Sequence, residues 1–138
     1  MEISAHLRDR AGEHEVRVST AGNTRPLVVG AKAGGRGGSI NGGELLMAAL
    51  ATCYCNDLYR EADRLGIAID GCEVTATAMF DGIGQPAQSI TYAAKVASSA
   101  PPADVEHLLA ETDRRAEIHN TVRAGSVVRR VAWREPSA

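Results

Sequence analysis

A chain of 138 residues is long enough to bury one core and too short for two domains of ordinary size. With a net charge of −2 and few aromatics (Tyr 3, Trp 1, Phe 1), it lacks both the basic surface and the stacking rings that nucleic-acid binding requires. The longest apolar run, Leu45 to Ala51, falls far short of the roughly 20 residues of a membrane span. The first residues also lack the basic-then-apolar pattern of a secretion signal. A cytoplasmic protein without membrane or nucleic-acid partners is expected, one domain over residues 1–138.

Met1 to Arg8 alternates loosely, with Ile3, Ala5 and Leu7 on one face, and Glu13 to Thr20 alternates through Val16 and Val18. Asp9-Arg10-Ala11-Gly12 between them has turn chemistry, which predicts a β-hairpin. A second turn at Ala21-Gly22-Asn23 leads to a short strand from Arg25 to Val29, with Pro26 tolerable at an edge. The glycine-dense stretch Gly30 to Gly43 follows. It matches neither the GxxxxGK[ST] nor the GxGxxG phosphate-binding pattern, so a mobile or closely packed connector is expected.

Asn41 followed three residues later by Glu44 is a capping-box arrangement, which starts a helix at about Gly42. Gly66 ends it after Leu65. At 100° per residue, Leu46, Ala49, Leu50, Cys53 and Asp57 share one face, and Cys55 lies about 200° from Cys53. Both faces are apolar in the first half, so the helix is expected to be central and buried nearly all round. Glu73 to Phe80 and Ser89 to Ala97 alternate about an Asp81–Pro86 turn, which predicts a second hairpin. Pro101-Pro102 opens a second helix with the stripe Val105, Leu108, Leu109, Thr112 and Ala116. A loop over Asn120 to Gly125 and a last strand from Ser126 to Trp133 complete an α+β fold with antiparallel sheet, in the order βββ-α-ββ-α-β.

Three cysteines cannot all pair within one chain, and Cys53, Cys55 and Cys72 match no disulfide scaffold. In a reducing compartment they are thiols, either small core fillers or reactive groups. Cys53 and Cys55 diverge on a helix and do not form a ligand pair, and Cys72 at a strand start reads as core. None of His6, His14, His107 and His119 is at i, i+4 spacing, so no zinc site or other metal or cofactor is expected. Arg114-Arg115 and Arg129-Arg130 read as solvated faces.

The segment from Gly35 to Cys53, GRGGSINGGELLMAALATC, resembles the signature of the OsmC/Ohr superfamily, the osmotically inducible protein C and organic hydroperoxide resistance proteins. Counted from Asn41, Cys53 falls at the place of the family's reactive cysteine. Leu65 to Gly71 resembles the stretch between helix and hairpin, and Ala116 to Val122 the C-terminal segment. The resemblance implies an intertwined homodimer with a long buried central helix and sites at the subunit interface. It also implies a thiolate that attacks the O–O bond of an organic hydroperoxide and becomes a sulfenic acid, later reduced by thiols. Two departures matter. The family's second cysteine aligns with Ala116, and Gly42 and Gly43 replace the proline and acid of its N-P-E motif.

Lowering a thiol pKa from about 8.5 to 7 takes roughly 2 kcal/mol. A cation about 4 Å away supplies on the order of 4 kcal/mol at an effective dielectric near 20. In the family that cation is an arginine of the N-terminal hairpin turn, which points to Arg8 or Arg10, with Arg36 in the loop as a third candidate. Asp57 opposes it unless the two pair. The expectation is a thiol-dependent peroxidase-like protein with Cys53 as nucleophile, Arg8 or Arg10 stabilising the thiolate, and an external thiol or dithiol as reductant. The alternative is a non-catalytic relative binding a small apolar or electrophilic ligand at the dimer cleft.

Overall fold

A computed structural model describes residues 1–135. The chain is α+β with antiparallel sheets and three helices, in two compact units: residues 1–44 with those from Arg129 onward, and Leu45–Val128.

The first unit is a three-stranded meander: β1 (Ile3–Arg10), β2 (Glu13–Thr20) and β3 (Asn23–Leu27) in the order β1-β2-β3. The turns take positive φ at Ala11 and Gly12 and again at Ala21 and Gly22, which tightens both hairpins. The third strand begins two residues earlier than its β-branched run suggests, because Thr20 pairs with Asn23 across the two-residue turn. Pro26 sits on this edge strand, as expected. The glycine-rich connector is tied down: Ser39 donates to the Gly30 carbonyl at 2.8 Å, and Gly37 to Asp9 Oδ2 at 3.1 Å. A Cβ on Gly38 would lie 2.7 Å from His14 Nε2, so close packing excludes a side chain there. Asn41 and Glu44 form the reciprocal capping box, each accepting the other's backbone N–H at 2.8 Å.

In the second unit, α1 (Gly42–Leu65) packs on one face of the hairpin β4 (Gly71–Met79) and β5 (Gln88–Ala97). Alternation puts Cys72, Val74, Tyr92, Ala94 and Val96 on that face, against Tyr54, Leu58 and Ala62 of the helix. Leu108 of α2 (Pro102–Arg115) and Ala116 complete the core, both with no exposed surface. Glu61 is fully buried on α1 and is bound by the guanidiniums of Arg60, Arg64 and Arg115. Arg115 and Arg114 are exposed, as a solvated face requires, yet both are engaged, Arg114 pairing with Glu111 at 2.9 Å.

Three sequence expectations are corrected. The segment expected as a loop over Asn120 to Gly125 forms the helix α3 (Glu117–Ala124), closed by Gly125 at φ 64°. The expected last strand from Ser126 to Trp133 pairs with nothing among the described residues. The edges of β1, β3, β4 and β5 stay unpaired among the described residues, and residues 126–133 dock on none of them. Val127, Val128, Val131 and Trp133 are exposed in consequence. Helix α1 is not buried all round either, since Ala48, Ala49, Thr52 and Tyr59 are exposed. One sheet and two short helices cannot cover every side of a 24-residue helix.

Candidate active site

On α1, residues four apart face the same way, and Cys53 Sγ donates to Asp57 Oδ2 at 3.4 Å. Cys53 is half-buried and Asp57 is buried. Glu117, the first residue of α3, joins them: the sulfur and one oxygen of each carboxyl lie within 4.8 Å of one another. Arg60 Nη1 bridges the two acids, at 3.1 Å from Asp57 Oδ1 and 2.9 Å from Glu117 Oε1. One sulfur and two carboxyls offer donors to a cation, yet this guanidinium already engages the oxygens.

The electrostatics follow from that arrangement. Burial pushes the Asp57 carboxyl up, and the neighbouring Glu117 adds to it. Glu117 is held down by a backbone amide and by Arg60. Burial also pushes the Cys53 thiol up. The Ile118 backbone amide pulls the other way, but the hydrogen bond to Asp57 and the charges of Asp57 and Glu117 restore the rise. The thiol form is thus favoured by these neighbours.

Sequence reasoning found Cys53 and Asp57 and missed Glu117 and Arg60. Arg60 carried a signal, its i, i+3 spacing from Asp57; Glu117 reaches the site only through the tertiary fold. Ala116 is buried immediately before α3. His119 is also buried, packed on Tyr54 and Tyr92 with ring centroids 5.7 and 4.6 Å away. Burial and Arg123 lower its pKa, so the ring stays neutral in the core. Cys72 packs against the core cluster, as expected, and its sulfur also meets that of Cys55 at 3.2 Å.

Arg8 and Arg10 belong to the first unit and Cys53 to the second. Arg8 pairs with Glu15 at 3.0 Å, directly across the β1–β2 ladder. Arg10, at the end of β1, forms no ion pair among the described residues.

The family model described as OsmC-like protein matches residues 35–130. No curated protein matches the sequence. Solved structures resemble it at low identity. An OsmC-like protein from Mycoplasma pneumoniae is 16% identical with a TM-score of 0.62, over 90% of this chain and 87% of that one. An organic hydroperoxide resistance protein OsmC from Legionella pneumophila is 18% identical with a TM-score of 0.60, over 89% and 90%. The organic hydroperoxide resistance protein OhrB of Bacillus subtilis is 17% identical with a TM-score of 0.57, over 91% and 93%. At these identities the likeness is one of fold.

Proposed function

The chain belongs to the OsmC-like protein family, and from that premise we propose that it reduces organic hydroperoxides through Cys53. The observation that carries the reading is the half-buried thiol itself. It stands on α1, with its sulfur beside the backbone amide of Ile118, and the sequence resemblance supports it as the counterpart of the family's reactive cysteine. The Cys53 thiolate attacks the distal oxygen of the hydroperoxide, the O–O bond breaks, and the alcohol leaves as the sulfur becomes a sulfenic acid. An external thiol displaces water from the sulfenic acid to form a mixed disulfide, and a second thiol releases Cys53. The sulfenic acid is resolved by an external thiol and not within the chain, because Ala116 offers no sulfur.

Burial and two acids favour the thiol, so turnover requires a cation that they do not supply. We assign that role to the hairpin arginines. Arg10 is the better candidate, because Arg8 is engaged by Glu15. The proposal includes a homodimer with residues 1–138 as one domain in each subunit, acting in the cytoplasm. No helix among the described residues is long and apolar enough to cross a membrane.

One observation favours a second reading, a non-catalytic protein holding a small apolar or electrophilic ligand at the dimer cleft. It is that Ala116 offers no second sulfur while burial, with Asp57 and Glu117, raises the pKa of the Cys53 thiol. Cumene hydroperoxide and dimedone separate the two. The peroxidase reading expects a dimedone adduct on Cys53, absent in Cys53→Ser, and hydroperoxide consumption with dithiothreitol or dihydrolipoamide. Neither adduct nor consumption leaves ligand binding alone.

A further inference from the structure

Helix α1 carries a second sulfur, Cys55, whose direction differs from that of Cys53 by about 200° of helical rotation. It faces β4, where alternation turns Cys72 toward the helix, and the two sulfurs lie 3.2 Å apart, both half-buried. They need to close by only about 1 Å to reach the roughly 2.05 Å of a disulfide. A cavity of about 260 Å³ opens beside them, lined also by Ala51, Thr52, Asn56 and Val74. Cys72 packs on the core with one side, but both sulfurs also line this cavity, through which a small reagent reaches them.

We propose that Cys55 and Cys72 are a redox couple, a second two-electron site that a small hydroperoxide oxidises to an intramolecular disulfide independently of Cys53. Cys55 thiolate attacks the O–O bond and takes one oxygen, and the alcohol leaves. Cys72 sulfur then attacks the Cys55 sulfenyl sulfur, its proton leaves with the hydroxyl as water, and the S–S bond forms. Both sulfurs together lose two electrons, the hydroperoxide gains two, and a dithiol reverses the step by exchange. The order of attack follows from the surroundings: burial and the adjacent Cys55 hold the Cys72 thiol up at about 11, which leaves it the poorer initial nucleophile. Once Cys55 is oxidised, contact makes up for the low thiolate fraction.

The test uses the full chain carrying Cys53→Ser, in which the proposed Cys53 chemistry is silent, so the two readings fail separately. This background is needed because Cys53 and Cys55 share one tryptic peptide, residues 37–60, while Cys72 lies in residues 65–95. Reduced protein is treated with cumene hydroperoxide, unfolded, and its thiols counted. The expected result is loss of both remaining thiols, release of one cumyl alcohol per chain, and linked peptides 37–60 and 65–95 within one chain, all reversed by dithiothreitol. Adding Cys72→Ser should abolish the link and leave a dimedone-reactive Cys55. If Cys53→Ser does not fold, the wild-type link is assigned by fragmenting its peptide between Cys53 and Cys55. Two thiols still titratable after oxidation, or a link between chains only, overturns the proposal.

Discussion

Cys53 owes its character to burial, to Asp57 one turn along its own helix, and to Ile118 and Glu117, which are far from it in sequence. Its helical partner Asp57 was legible from four-residue spacing, because side chains one turn apart must meet. Glu117 was not, because its approach depends on how α3 docks, and no local pattern encodes that. Ala116, where the sequence resemblance puts the family's second cysteine, is fully buried in the cluster against which Cys53 packs. Replacing it by cysteine, Ala116→Cys, should therefore give Cys53 a resolving partner. Overpacking by one sulfur should cost about 1–3 kcal/mol of stability. Resolution within one chain should cut dimedone labelling of Cys53 by about tenfold, because the introduced thiol acts at high effective concentration. Unchanged labelling in a folded variant would mean that position 116 does not address this sulfur.

The elements were legible wherever their ends carried chemistry. Helix α1 runs over the span its capping box and Gly66 announce, since those residues satisfy its terminal N–H and C=O groups locally. Helix α3 was missed because eight residues show barely two turns of periodicity, and Asn120 and Gly125 look like loop residues. Gly125 was in fact the helix stop. The burial of Glu61 had no local signal, because it depends in part on Arg115, which only the tertiary fold brings to it. Burial works against its ionisation, but the guanidiniums of Arg64, Arg60 and Arg115 outweigh it and hold the carboxyl below its usual range. Its stabilising effect is therefore complete above the ordinary carboxylate range and is lost as pH falls through the lowered value. Glu61→Gln should cost about 2 kcal/mol at neutral pH, less than a fully buried pair because the arginines are half in water. Urea midpoints of variant and parent should converge only as pH falls below the ordinary carboxylate range. A gap that persists there would assign the loss to packing.

For the molecule as a whole, the α+β class and the two hairpins followed from alternation, while the fate of the C-terminal segment did not. Residues 126–133 alternate like a strand, yet pairing needs an edge that no periodicity in one chain can specify. Val127, Val128, Val131 and Trp133 remain exposed, a cost that the proposed homodimer would relieve. The chain should then elute at about twice its 14.5 kDa, and deleting residues 126–138 should shift it toward one copy or cause aggregation. An unaltered dimer after deletion would exclude the segment from the interface. The same assembly is asked to bring a hairpin guanidinium to Cys53, against burial and two acids. The direct measurement is a thiolate titration at 240 nm on a Cys55→Ser/Cys72→Ser chain, where Cys53 is the remaining sulfhydryl. The account predicts a midpoint below the ordinary thiol value of about 8.5, rising by about one unit or more when Arg8 and Arg10 are both replaced by alanine. A midpoint at or above about 9 that ignores both substitutions would contradict it.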